Sequence, residues 1–64
     1  MGDFKKRLID EESQLKKKID KLYDFSQGDK FEFMKDIQKT LLLIQLDAMR
    51  TYWRCLVSRM NLLK

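Results

Sequence analysis

The side chains with most chemistry to offer lie late in the chain. Arg59 stands in line with Tyr52, seven residues earlier, and with Cys55, four earlier, so a helix places all three on one face. The rest of that face is apolar, which makes Arg59 a cation on an otherwise oily arc. Its stem can pack on Tyr52 while the guanidinium reaches water or an acid such as Asp3. Alternatively, a fold-back of the chain brings Arg7 close to Tyr52; the two arginines then take phosphate and Tyr52 stacks a base. Gln45, Glu11 and Lys18 offer amide, carboxylate and ammonium for hydrogen bonds to a base or ribose. The candidate ligand-binding set is therefore Arg7, Glu11, Lys18, Gln45, Tyr52 and Arg59.

Catalysis has no comparable candidate. The sequence has no His, one Cys and no glycine-rich loop ahead of a helix, and Ser13, Ser26 and Ser58 have no evident base. We expect no catalytic residue, no cofactor and no metal site, and read the protein as a non-enzyme. Cys55, the only cysteine, rules out a disulfide within the chain and fits a small buried thiol in a reducing compartment. The longest apolar run, Leu41 to Leu43 and on to Ile44, falls far short of the ~20 residues that cross a bilayer. No apolar signal segment opens the chain. These features point to a cytoplasmic protein without a membrane partner.

Charge is unevenly placed. Fourteen basic and ten acidic residues leave a net charge of +4, yet no acid follows Asp47 while Arg50, Arg54, Arg59 and Lys64 do. A basic last turn complements the helix dipole, and the same cations suit an anionic ligand. Arg50 and Arg54, one turn apart beside Thr51 and Ser58, read as a solvated face. Duplex-binding surfaces carry denser charge, so no generic duplex nucleic acid is expected as a partner.

Two helices must position these residues. The second, over about 35–63, contains no Gly or Pro, so nothing within it stops a helix. Leu42, Leu46, Met49, Trp53, Leu56, Met60 and Leu63 recur at alternating spacings of four and three, a seam expected to form the oligomer interface. A second stripe, Ile37, Leu41, Ile44, Ala48, Tyr52, Cys55 and Leu62, winds beside it and is expected to meet the first helix. That first helix, over about 4–25 with Asp3 as cap, carries Phe4, Leu8, Leu15, Leu22 and Phe25, interrupted by Glu11 and Lys18. Glu12 and Lys16 have the spacing of a favourable pair. Ser26-Gln27-Gly28-Asp29-Lys30 is the only turn signal, with Gly28 suited to a left-handed helix end and Asp29 and Glu32 to a capping box. Phe31 and Phe33 are expected to close that end.

The resulting fold class is all-α: one domain, residues 1–64, an antiparallel two-helix hairpin. Folding back about the turn sets Leu22 near Ile37, Leu15 near Ile44, Leu8 near Tyr52 and Phe4 near Cys55. Met60, Leu62 and Leu63 are then left uncovered, and a chain of 64 residues has little core of its own. Homo-oligomerisation is expected to complete it.

The pattern Arg7-Leu8, Leu15-x-x-Lys18, Leu22-x-x-Phe25, Lys30-Phe31 and Gln45-Leu46-x-Ala48-Met49-x-x-Tyr52-x-x-x-Leu56-x-x-Arg59 resembles a family of short tailed-phage proteins first catalogued from crAss-like phages. Trp53-Arg54-Cys55 and the run Leu41 to Ile44 depart from it. In size and hairpin form the chain also resembles phage sponge proteins that sequester the cyclic-nucleotide signals of CBASS or Thoeris immunity. That likeness implies an oligomer holding ligand at chain–chain junctions through Arg, Lys and aromatic residues. The function expected is a phage-encoded anti-defence sponge in the host cytoplasm, binding a cyclic nucleotide or an ADP-ribose-type signal. The alternative is a helical interaction module that docks its second helix on a host or phage protein.

Overall fold

The computed structural model describes residues 2–63. They form three helices, α1 (Gly2–Ser26), α2 (Asp29–Glu32) and α3 (Asp36–Leu62), with no strand among the described residues. The chain is all-α, as its spacing predicts, but it has one helix more than expected. No described helix is long and apolar enough to cross a membrane.

The extra helix occupies the connection. α1 ends in a tight turn in which the Gln27 and Gly28 amides donate to the carbonyls of Asp24 and Phe25, each at 3.1 Å. Gly28 is not left-handed: its φ of −99° and ψ of 172° are extended, and it caps the start of α2. Asp29 and Glu32 form no capping box, since no side chain caps α2; both acids lie in its first turn, where the helix dipole favours them. Asp3 likewise lies inside the first turn of α1. Phe31 is buried under this connection, whereas Phe33, expected beside it, is 88% exposed.

α1 and α3 lie side by side in opposite directions. Glu11 and Glu12 meet Tyr52 and Trp53, and Phe4 and Leu8 sit beside Leu62 and Leu63. The result is a rod of 47 × 14 × 13 Å. Its register differs from the expected one: Leu8 lies beside Arg59, not Tyr52, and Phe4 beside Leu62, not Cys55. Because α2 and its flanks occupy 27–35, the fold-back point moves along the sequence and each α1 residue meets a later partner. Met60 is thereby half-buried beside Lys5 and Ile9, so the end of α3 is less bare than expected. Leu62 and Leu63 remain 83% and 40% exposed.

The two stripes of α3 also exchange roles. Leu46 and Leu56 are 4% and 0% exposed within the single chain, packed with Leu8 and Ile19 of α1 at 3% and 5%. Leu42, Met49, Trp53 and Met60 are half-buried along the same line. The seam assigned to a second chain thus faces α1. The stripe assigned to α1 points outward: Ile37 is 63% exposed, Leu41 and Ile44 58% each, and Cys55, expected as a buried thiol, is exposed. The seam has the longer, wider side chains to fill the gap between two helices, whereas the second stripe mixes Ala48, Cys55 and Arg59 with its aliphatics.

Leu56→Ala should therefore cost about 2–5 kcal/mol, the range for a leucine deleted from a closed core. The same change at Leu43, 48% exposed, should cost under about 1 kcal/mol. Urea denaturation of both variants checks this, and equal losses would displace Leu56 from the centre of the core.

Candidate ligand site

The six candidate residues all lie on one flank of the rod. On α3, Gln45, Tyr52 and Arg59 are seven residues apart in turn, hence on nearly the same line. On α1, Glu11 and Lys18 have the same spacing, with Arg7 one turn before Glu11. The Tyr52 hydroxyl donates to Oε2 of Glu11. Lys18 and Gln45 line a shallow cleft of about 360 Å³ with Leu22, Phe25 and Met49. Arg59 stacks over Phe4, its guanidinium carbon 5.9 Å from the ring centroid. By the same register Arg7, exposed, stands level with Arg59 and not with Tyr52.

The six form a row, not a ring. Gln45 to Arg59 is fourteen residues, or roughly 21 Å of helix. One half offers arginines and a phenol, the other the ammonium groups of Lys18 and Lys21 and an amide beside Leu22, Phe25 and Met49.

Tyr52 is the electrostatic centre of the row. Its hydrogen bond to Glu11, together with loss of water and the Glu11 charge, pushes the phenol above its ordinary 10.0, while Arg59 pulls the other way. The neutral phenol is thereby held as a donor to a carboxylate, with a cation beyond it. Glu11, an intruder in the apolar stripe by sequence, is the residue that orients this ring. Among the described residues no three His, Cys, Asp or Glu cluster as metal ligands.

The sequence reading missed partners on both flanks. Phe4 under Arg59 is one. On the opposite flank Trp53 Nε1 donates to Glu12 Oε1 at 3.1 Å, and Lys16 sits 5.7 Å from the Trp53 ring centroid. Glu12 does not pair with Lys16, which bridges instead to Asp20 at 2.8 Å. Arg50 stacks over Tyr23 at 5.4 Å and lines a cleft of about 210 Å³ with Lys16, Ile19, Trp53 and Arg54. Arg50, read as solvated, is thus half-buried over Tyr23, whereas Arg54 is exposed, as expected, at the rim of the same cleft. Spacing within one helix cannot reveal such contacts, because they depend on the register between two.

With this geometry in view, comparison with known proteins gives one family. A family model described as Sequestin matches residues 2–62. The chain belongs to the Sequestin family. Neither a curated protein nor a solved structure matches it. The Sequestin match spans all three helices, so the row of six lies wholly within it.

The Glu11–Tyr52 bond sets a pH dependence. A raised phenol pKa means that folding favours the protonated ring, so this contribution is complete below pH 10.0 and is lost as pH rises through the folded value. In a Tyr23→Phe background, phenolate absorbance should titrate above 10.0, and Glu11→Gln should bring the midpoint down towards it. An unchanged midpoint would remove Glu11 as the cause.

Proposed function

We propose that the protein is a non-enzymatic sponge that binds and sequesters a small anionic nucleotide signal. The family name points to sequestering, and the flank in which Glu11 holds Tyr52 beside Arg59 is the observation that carries the reading. Arg59 and Arg7 take phosphate through charge-assisted bonds, Tyr52 presents its ring to a base, and Lys18 and Gln45 bond a second base or ribose. Spread over roughly 21 Å, the row suits an extended ligand with separated polar groups, such as a cyclic dinucleotide or an ADP-ribose-type molecule. A mononucleotide would touch only one half of it. In this reading the protein is phage-encoded, works in the host cytoplasm as a homo-oligomer, and blunts an immune signal by holding it.

A second reading rests on the outward stripe of α3. Exposed Ile37, Leu41 and Ile44 suit an interaction module that docks this helix on a host or phage protein. Generic duplex DNA or RNA fits neither reading.

Calorimetry against a panel of cyclic dinucleotides and ADP-ribose-type nucleotides separates the two. Arg59→Met keeps an unbranched apolar side chain beside Phe4 and removes the guanidinium, with charge-assisted bonds of roughly 1.5–3 kcal/mol. It should leave helicity intact and weaken nucleotide binding about ten- to hundredfold. No heat with any nucleotide from folded wild type would end the sponge reading and leave the interaction module.

A further inference from the structure

The outer face of α3 is apolar, continuous and open to water in the single chain. Ile37, Leu41, Ile44 and Tyr52 are 63%, 58%, 58% and 45% exposed, and Phe4 on the adjoining edge of α1 is 56% exposed. The whole chain exposes 5377 Å². A compact protein of 7.8 kDa exposes about 4,400 Å². The excess, roughly 1,000 Å², matches the ~800 Å² that each partner buries in a stable interface.

The stripe is also built symmetrically. Ala48, its smallest member, lies at the centre. Ile44 and Tyr52 lie four residues to either side, Leu41 and Cys55 seven, Ile37 and Arg59 eleven. If the stripe meets a copy of itself running the other way, the small residue meets itself and the backbones can approach. Each aliphatic residue of the first half then faces a polar-tipped residue of the second.

Charge selects that direction. Asp36 begins α3, while Arg54 and Arg59 lie near its end with no acid after Asp47. Lys35 and Lys39 flank Asp36, so the start of α3 is not a net acidic end, but antiparallel copies keep the two Arg59 side chains apart and align the helix dipoles favourably. Parallel copies would set Arg59 beside Arg59. From this we infer that two copies of the chain pair along the outer face of α3, antiparallel, with the two-fold axis at Ala48. The pairing lays Ile44 and Ile37 of each copy against Tyr52 and Arg59 of the other's row, so each row gains an apolar wall. The pairing stands whatever the ligand; only the wall's role in binding rests on the sponge reading.

Crosslinking reads the axis directly. Helices packed through a small residue lie about 8–10 Å apart, which brings facing Cα atoms to roughly 3.5–5.5 Å, within disulfide reach at its upper end. In a Cys55→Ser background, Ala48→Cys should convert almost wholly to a covalent dimer under mild oxidation. Ser58→Cys, exposed on another face, should give less than about a tenth as much. Wild type should sediment as a dimer, and Leu41→Glu with Ile44→Glu as a helical monomer, since neither side chain is buried in the chain's own core. A monomeric wild type at 100 micromolar would overturn the pairing, as would equal crosslinking at both positions or loss of helix in the double glutamate variant. Nucleotide calorimetry on the oxidised Ala48→Cys dimer keeps the two ideas apart. A dimer that binds no nucleotide ends the sponge reading and leaves the pairing, whereas a monomer that binds ends the pairing alone.

Discussion

One line of contact holds this protein together. Leu56 is wholly enclosed, and with Leu46, Leu8 and Ile19 it joins α1 to α3; among the described residues Phe31 is the other buried apolar side chain, under the connection. Two helices in contact have a single interface between them and no second layer behind it. Whatever each helix carries away from that line is therefore surface. The thin core explains why α3 can be apolar over most of its circumference and still leave half of that apolarity in water.

It also explains how far the sequence could be read. Both stripes of α3 were visible as repeats, and the all-helical class followed from them. Which stripe faced inward was not visible, because each is apolar enough to be buried and periodicity carries no sign. The register was misjudged for a different reason. Gly28 marks the turn, but Asp29–Glu32 coils once more before α3 begins, and the short apolar signal of Phe31 gave no hint of a separate helix.

The charged intruders in the apolar stripes have a geometric origin. A seven-residue repeat drifts about 20° per heptad on a straight helix. Leu8 is therefore buried, Leu15 and Leu22 only half so, and Phe25 exposed, while the core passes to Ile19 and Ser26. Glu11 and Lys18 fall in the stripe by spacing but at the flank in space. Ser26, polar and 8% exposed, is tolerated there because its hydroxyl donates to the Tyr23 carbonyl at 2.6 Å. Arg59 is the charged member of the outward stripe of α3, where its guanidinium lies over Phe4 and its charge reaches Tyr52.

The flank that carries the six candidate residues is where sequence and site meet. A residue repeated every seven positions along a straight helix keeps nearly one line, so Gln45, Tyr52 and Arg59 on α3 and Glu11 and Lys18 on α1 are held about 10 Å apart in sequence along the rod. The same spacing that elsewhere builds the core here builds a ladder of polar groups at its edge. Such a ladder cannot close round a small anion, since each rung is out of reach of the next but one. It can meet a ligand whose own polar groups are spread over a comparable length. The selectivity of this flank would then lie in distance between rungs more than in the identity of any one of them.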